Sequence, residues 1–417
     1  MPVGLFEQGF SGNYPKVLAQ KMMFAVQKEF FWGRWAKFNT PGSRPVRPGT
    51  EPMPIDSPIV IQRELGRKSG DILEIPVHRN LKNMPRLDKQ QMKEFEEEPK
   101  VNFVQVAVNL FRHAEKPQDS TISTQVNKDL RLLENAIPAL QRHYARVSEY
   151  EGVSYAFYNG YSGYILRSAR WSGHAKIAAV SHPHIYISGS GKVSYSGGNP
   201  GVAGYETTIG TDITAVGSGD VFDTGFLNGL KADPQIRKIP PIILNNGNHC
   251  RFIVAHPYQI AGLEADSTFK TTVQSAYVSQ AIKDNPLLYG AKYYYAGFFI
   301  FENDTAVWPV SVTGGKPVWG VSGIATITSL DSYENYASET KFGAIVLGSN
   351  AMFKAIADNM EFKRRRDDYD EIIGIAYRAI EGYARGDAWN RDDGDTGEFV
   401  INDNSAIAVT YAATPGF

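Results

Sequence analysis

The sequence lacks several features that would place it in a common class of enzyme or binding protein. Its 417 residues include a single cysteine, Cys250, which excludes an internal disulfide and fits folding in a reducing cytoplasm. No apolar run is long enough to cross a bilayer, and the first residues do not resemble a signal peptide. The formal net charge is −1, so the composition does not indicate a dedicated nucleic-acid-binding protein. We therefore expect a protein that is made and folded in the cytoplasm and has no membrane partner.

Catalytic and cofactor motifs are also missing. The sequence has no GxSxG nucleophile elbow, and residues 188–192 (SGSGK) lack the full Walker pattern of a phosphate-binding loop. Histidines occur in two groups without the CxxC or HExxH spacing that supports a zinc site. These groups are His182 with His184, and His249 with Cys250 and His256. We predict no catalytic residue, no cofactor and no metal site, and we keep a metal-dependent hydrolase at these histidines as a less favoured alternative.

Two predicted strands flank a long charged segment. Residues 69–77 and 101–110 place apolar side chains at alternate positions, which is typical of strands. The 22 residues between them, 79–100, carry cations first and carboxylates later, with few apolar side chains. Half of that length reaches about 35 Å at about 3.3 Å per residue, whereas a compact chain of this size has a radius of gyration of about 21 Å. We predict a hairpin arm that lies on a neighbouring molecule, within a repeating assembly.

The predicted subunit contacts come from this arm and from a second charged segment. Opposite charges on the two halves of the arm would set the register between copies more than their affinity. The basic run at 363–366 is followed at once by carboxylates, which cancel its field beyond a Debye length of about 8 Å, so we interpret it as a salt-bridged helical surface or a subunit contact. The predicted contact residues are Arg79, Lys82, Arg86, Lys89, Lys93, Glu94, Glu96, Glu97, Arg364 and Arg365.

The segments around this unit suggest an arm, a long helix and a loop-rich stretch. Residues 1–58 combine a short helical pattern with a proline-rich run, which predicts an ordered arm over a surface, with a disordered tail as the alternative. A helical pattern covers 120–147, where Pro138 is expected to kink or divide the helix, and it leads into an aromatic patch from Tyr155 that we interpret as core. Residues 171–219 are rich in glycine and serine, which predicts a loop-rich insertion or a small β elaboration.

The C-terminal half alternates between strand and helix patterns. We predict a helix carrying Phe222, Phe226 and Leu230, a helix capped by Asp266, and a helix at 349–360. The predicted strands are 239–244, 250–254, 293–301 and 405–412. Together with the earlier segments, this order of elements indicates an α+β fold.

Several short segments, taken in order, are similar to one known family. Residues 67–76 (RKSGDILEIP) resemble a "K-x-G-D-x-I" strand start, and the segment His256-Pro257-Tyr258-Gln259 with Leu263, Asp266 and Phe269 resembles an "H-P … L … D … W" pattern. Further similar segments are 285–290, 347–351 and 407–411. The family is that of the tailed-bacteriophage major capsid proteins with the Hong Kong 97 fold, in the branch found in schitovirus-type podophages. The resemblance covers most of 60–412. The sequence departs from the family in lacking glycines in the hairpin arm, and the segment 1–58 matches nothing specific.

The resemblance implies a Hong Kong 97-type capsid fold with a peripheral and an axial domain. The expected parts are an N-terminal arm (1–58), the extended hairpin loop and its strands (59–116), the spine helix of the peripheral domain (117–170), a glycine-rich insertion (171–219), the axial domain with parts of the peripheral domain (220–395) and a returning C-terminal strand (396–417).

The function implied by the resemblance is structural rather than enzymatic. Such a protein would assemble into the pentamers and hexamers of an icosahedral phage head that encloses double-stranded DNA. Its partners would be further copies of itself, scaffold, portal and decoration proteins, and the packaged DNA, contacted non-specifically. It would be found in the virion after assembly in the host cytoplasm. Another phage structural protein, such as a tail, decoration or adhesion protein, is the alternative suggested by the tyrosine, glycine and serine content of 186–219.

Overall fold

The structure is a computed structural model, and the description below is confined to the segments that it describes. These are residues 36–39, 57–63, 71–78, 101–115, 132–159, 180–181, 184–189, 192–195, 204–243, 249–275, 291–304, 308–319, 340–367, 372–386 and 404–412.

The described residues form nineteen strands and six helices. The strands are β1 Ala36–Asn39, β2 Ile59–Arg63, β3 Ile72–His78, β4 Val101–Ala107, β5 Asn109–Glu115, β6 Tyr158–Asn159, β7 Val180–Ser181, β8 Ile185–Gly189, β9 Lys192–Tyr195, β10 Ile242–Ile243, β11 His249–Ala255, β12 Tyr293–Tyr295, β13 Phe298–Glu302, β14 Trp308–Thr313, β15 Lys316–Trp319, β16 Lys341–Leu347, β17 Met352–Asp367, β18 Ile372–Arg385 and β19 Ser405–Tyr411. The helices are α1 Leu132–Phe157, α2 Tyr205–Ala215, α3 Thr224–Ala232, α4 Pro234–Lys238, α5 Pro257–Ala265 and α6 Ser267–Ser275.

A ten-stranded mixed sheet forms the larger core. Its main path runs β12-β13-β11-β16-β19-β8-β9, with β10 paired to β11 and the β14–β15 hairpin joined through β16. The central strand β16 is buried from Phe342 to Leu347, as expected for a strand that is covered on both faces. One face packs against α3, α5 and α6, and the other packs against α2 and the end of α1. The predicted strands at 239–244, 250–254 and 405–412 are confirmed by β10, β11 and β19.

A second sheet of five strands is built around one long hairpin. Its order is β1-β2-β17-β18-β5, so β1 and β5 are its edges. β17 and β18 pair antiparallel over most of their length, with register shifts between Ile356 and Glu361, while β2 runs parallel to β17. Helix α1 packs on one face of this sheet, and the two-stranded ribbon β3–β4 packs on the other. The sheet is therefore covered from both sides, although the two covers differ in chemistry.

Helix α1 links the two sheets and is not divided at its proline. Leu140, Tyr144 and Val147 form a buried stripe at helical spacing, and Phe157 at the far end stacks on Trp308 of the ten-stranded sheet with ring centroids 5.6 Å apart. The helix is continuous through Pro138, so the expectation that the proline divides it is wrong. Pro138 is exposed, and the packing that follows it outweighs the loss of one backbone hydrogen bond.

The helices of the larger core begin at side-chain caps. Asp223 accepts a hydrogen bond from the backbone N–H of Phe226 at the start of α3, at 2.7 Å. At the start of α6, Asp266 accepts one from the N–H of Thr268, at 2.8 Å, which confirms the predicted cap. These caps satisfy backbone donors that the first turn leaves without a helical partner, and they fix where each helix begins.

The predicted helix at 349–360 is wrong, because this segment forms the first part of β17. Alanine and methionine favoured a helix locally. In the structure alternate residues are buried on opposite faces: Phe353 and Ala355 lie under the β3–β4 ribbon, whereas Met352 and Lys354 face α1. Burial on both faces of a strand gives no simple period of two in hydrophobicity, and tertiary packing outweighed the local preference.

Two other predicted strands are each split in the structure. The strand predicted at 293–301 is the β12–β13 hairpin, whose turn residues Ala296 and Gly297 have φ of 55° and 90°, the positive values that a tight type I′ turn needs. The strand predicted at 101–110 divides at Val108 into β4 and β5, which belong to different sheets. Leu110 consequently does not share the buried face of Val106, and it is 41% exposed.

Part of the glycine-rich stretch 171–219 lies inside the ten-stranded sheet. β8 runs parallel to β19, and its residues Ile185 and Ile187 are buried. The SGSGK segment lies at the β8–β9 hairpin, where Gly189 pairs with Lys192, so it does not open a helix as a phosphate-binding loop would. The proposed domain boundaries themselves stay predictions. None of the helices described here is both long and apolar enough to span a membrane.

Candidate functional site

The predicted subunit contacts divide between the hairpin arm and β17. The ribbon β3–β4 forms the base of the arm, antiparallel from Ile72 opposite Ala107 to His78 opposite Val101, which confirms the predicted strand pair. The arm residues lie outside the described residues: Arg79, Lys82, Arg86, Lys89, Lys93, Glu94, Glu96 and Glu97. Arg364 and Arg365 lie on β17 opposite Ile375 and Gly374 of β18. The basic run is therefore part of a strand, and its predicted helical surface is wrong.

The base of the arm is anchored by a small apolar cluster. Leu73 of β3 and Val106 of β4 are almost completely buried against β17 and β18. Most of their neighbours in these two strands are alanines, which allow the ribbon to approach the sheet closely. Complete burial of an aliphatic side chain contributes about 1.5–3 kcal/mol, so a few residues hold the arm's base in one orientation.

A buried ionic cluster joins α1 to the opposite face of the same sheet. The carboxylate of Glu381 on β18 accepts hydrogen bonds from Tyr144 Oη at 2.6 Å and Ser148 Oγ at 2.9 Å. Lys354 Nζ on β17 lies 2.9 Å from the second oxygen that Tyr144 contacts, and both charged side chains are less than 5% exposed. The same ammonium group lies 4.9 Å from the ring centroid of Tyr383. The cluster therefore satisfies two buried charges with partners from three elements.

The two buried tyrosines of this cluster stay protonated over the whole accessible pH range. Burial raises the pKa of Tyr144 well above its usual value of 10, and the neighbouring Glu381 carboxylate raises it further. The pKa of Tyr383 is raised by the same two causes. Because Ser148 donates its proton to Glu381, Tyr383 donates to Ser148 Oγ, 2.6 Å away. The hydroxyl protons thus all point towards the buried carboxylate.

Two histidines meet where α1, β5 and β18 come together. The rings of His113 on β5 and His143 on α1 stack with centroids 4.1 Å apart, and Nδ1 of His143 lies 3.0 Å from the hydroxyl of Tyr377. Burial lowers the pKa of His143 to about 4, helped by the charges of His113 and Arg146. His143 is therefore neutral at pH 7, and acid would charge it within this contact.

The histidines and the cysteine of the hydrolase alternative have structural roles in the described residues. His256 caps α5, accepting from Tyr258 N–H, and stacks on Phe342 at 4.4 Å; burial lowers its pKa to about 4. Nδ1 of His184 lies 2.6 Å from the hydroxyl of Tyr195. Burial raises the pKa of Cys250 to about 12, so its thiol is unreactive. Within the described segments, no group of three or more metal-type side chains converges.

Sequence reasoning missed the ionic cluster altogether. Lys354 and Glu381 each stand as a single charge among apolar residues in what proved to be adjacent strands. An isolated charge within an apolar strand pattern signals a buried partner, because such a charge is rarely buried unless paired. The identity of the partner could not be read from spacing, since Tyr144 and Glu381 are 237 positions apart.

Comparison with known proteins identifies one family and one group of structures. A family model described as phage capsid protein matches residues 53–414. Similar solved structures include the capsid of Ralstonia phage GP4, with a TM-score of 0.59 and 14% identity, covering 87% of this chain and 89% of that chain. The capsid asymmetric unit of cyanophage Pam1 has a TM-score of 0.53 and 15% identity, covering 85% and 89%. No curated protein sequence matches the chain. At these identities the structures establish the fold, and they confirm the predicted α+β capsid fold.

Proposed function

This chain belongs to the phage capsid protein family and is a major capsid protein, and we propose that it forms the pentamers and hexamers of an icosahedral head around double-stranded DNA. It is accordingly a structural component of the virion. We further propose that assembly takes place in the host cytoplasm, as the single buried cysteine and the absence of a signal-like start suggest.

The observation that supports assembly through overlapping subunits is the ribbon β3–β4. Its strands pair up to His78 and Val101, and the 22 residues beyond them carry many charges and few apolar side chains. Such a segment can bury little apolar surface against its own subunit, whereas a neighbouring copy offers it opposite charges. Obligate interfaces of this kind commonly bury more than about 2,000 Å². We propose that each arm lies on the next subunit of a capsomer.

The other predicted partners belong to the same proposal. A shell of this kind requires a scaffold to set its curvature during assembly, a portal at one vertex, and in some heads a decoration protein. The near-zero net charge of the chain suits a wall that encloses dense DNA without binding it strongly. We expect DNA contacts to be non-specific and to weaken with added salt.

Expression of the full chain, alone and with candidate scaffold proteins, tests the proposed function. We expect size-exclusion chromatography and negative-stain electron microscopy to show capsomers, shells or tubes. A chain that stays strictly monomeric at high concentration, under all of these conditions, would contradict it.

A further inference from the structure

The five-stranded sheet has an uncovered half on the face that carries the ribbon. The apolar cluster under the ribbon draws its strand residues from β2, β3, β4, β17 and β18, and ends at Ile380. Next to Ile380 in register is Leu110 on the edge strand β5, and Leu110 is 41% exposed. Beyond it, Arg112 and Ala114 are exposed on the same side. We call the surface of Leu110, Arg112, Ala114, Glu361, Lys363 and Arg378 the open patch.

Cations dominate the open patch, and one of them has no partner within the described segments. Arg112 lies directly opposite Arg378 in register, and like charges at opposite positions of neighbouring strands repel. Arg378 is already paired with Asp358, at 2.9 Å, and with Glu361. Lys363 Nζ lies 3.3 Å from the same Glu361 carboxylate and its side chain is 59% exposed. Arg112 is therefore the cation that a further carboxylate would stabilise.

The chain carries a matching acidic run on the return half of its arm. Residues 94–98 read Glu-Phe-Glu-Glu-Glu, which combines four carboxylates with one aromatic ring. The open patch presents the complementary pair of groups, a guanidinium and an exposed leucine two residues apart on one strand. Charges of opposite sign across a contact fix the register, and the apolar side chains exclude water from it.

The arm of the same subunit leads away from its own open patch. From Arg112 the chain passes along β5 to Val108 and then along β4, where Val106 and Val108 pack near Phe353 and Ala384, at the end of the β17–β18 pair remote from Arg378. The acidic run begins only after β4 has ended, about 16 residues and on the order of 50 Å of extended chain from Arg112. An intramolecular contact would require the arm to turn back over its own ribbon.

We propose that the open patch is the docking surface for residues 94–98 of a second copy of this chain. A glutamate of the incoming run pairs with Arg112, and its phenylalanine covers Leu110. The inference rests on the proposed function, because it requires the subunits to assemble, and it assigns a place on the neighbour to one half of the arm.

A disulfide trap distinguishes a second copy from the subunit's own arm. Arg112→Cys and Glu96→Cys are combined in one chain and oxidised after assembly; the native Cys250 is buried and does not compete. We expect a ladder of reducible dimers and higher multimers on a denaturing gel. An intrachain disulfide with monomer mobility would overturn the docking site, and so would shells that form without any disulfide.

Charge reversal provides a second measurement that does not depend on oxidation. Arg112→Glu should raise the protein concentration needed for capsomers by roughly tenfold or more, and Glu96→Arg with Glu97→Arg should do the same. Combining Arg112→Glu with Glu96→Arg should recover most of the loss. Lys270→Glu, at an exposed cation of α6 in the other sheet's cover, serves as the matched control and should assemble normally. Thermal unfolding of each subunit separates lost docking from lost folding.

The two proposals fail in different ways. Normal assembly of Arg112→Glu would overturn the docking surface and leave the proposed function standing. A wild-type chain that never assembles would overturn the proposed function itself. Failure of both single reversals without recovery in the combined variant would also exclude the pairing of Arg112 with the acidic run.

Discussion

The two faces of the five-stranded sheet solve different problems. Under α1, Glu381 is held by directional hydrogen bonds from Tyr144 and Ser148 and by the ammonium group of Lys354. Under the ribbon, the contacts are apolar and small, and half of the face is open. A closed network fixes one arrangement of the helix, because any shift leaves a charge unpaired. An apolar base instead anchors the arm and leaves exposed charges for other molecules. Stability and assembly are thus separated onto opposite sides of one sheet.

The largest expected effect is the loss of assembly on removal of the arm. Deletion of Asn83 to Glu97 with a short glycine-rich turn should leave a folded subunit, because the ribbon base and both sheets remain. Stable shells should be absent in electron micrographs, while the unfolding temperature changes little. Shells of normal stability would show that the arm is not a joint between subunits.

The ionic cluster should respond in the opposite way, through stability rather than assembly. Lys354→Met leaves the Glu381 carboxylate buried without its cation, and we expect a loss of about 3–5 kcal/mol in the free energy of unfolding. Lys354→Met with Glu381→Gln removes both charges and should recover most of that loss. Urea unfolding measures both variants.

A matched exposed lysine serves as the control for this comparison. Lys363→Met removes a cation whose ion pair with Glu361 is largely exposed, and exposed pairs contribute at most about 1 kcal/mol. If Lys354→Met is as mild as Lys363→Met, the cluster does not hold the helix to the sheet.

On the ribbon face, a single core truncation should loosen the base of the arm. Leu73→Ala creates a cavity between the ribbon and β17, with an expected loss of about 2–5 kcal/mol. Hydrogen exchange of the β3–β4 amides should accelerate more than that of β16. Leu110→Ala, at the exposed position on β5, is the control and should alter the unfolding free energy by no more than about 0.5 kcal/mol. Equal losses in the two variants would contradict the division of this face.

The smallest effect concerns pH and should be confined to the helix face of this sheet. The pKa of His143 is lowered to about 4 in the folded chain, against about 6.5 when unfolded. Below pH 6.5 the unfolded chain binds a proton that the folded chain rejects, so stability is complete above that pH and falls as the pH drops towards 4. His143→Gln should flatten this fall, because its side chain does not titrate.

The control for the pH measurement is a histidine outside the contact. His249→Gln lies at the exposed start of β11 and should leave the pH dependence of unfolding unchanged. His256 contributes a similar acid-sensitive contact in the ten-stranded sheet, so the His143 variant removes only part of the fall. An unchanged curve for His143→Gln would exclude the stacked histidines as its source.

Local patterns predicted much of the fold, and failed where burial was two-sided or a turn was hidden. The alternation in 69–77 and 101–107 predicted the ribbon, and the stripe of α1 predicted the long helix. Residues 349–360 were mistaken for a helix because both faces of β17 are buried and the period of two disappears. The turn at Ala296 and Gly297 was missed because the flanking residues are almost all aromatic, which favours one continuous strand.

The sequence by itself determined that a charged hairpin stands on two short strands, and that these elements follow the order of a phage capsid protein. Such information is local, since the period of apolar residues and the sign of neighbouring charges are read within a few positions. Only the tertiary structure decided that Lys354 meets Glu381 under α1, and that β5 leaves Arg112 on an open edge. Those outcomes depend on which strands lie side by side, and pairings between positions more than 200 residues apart follow from the packing of the whole core.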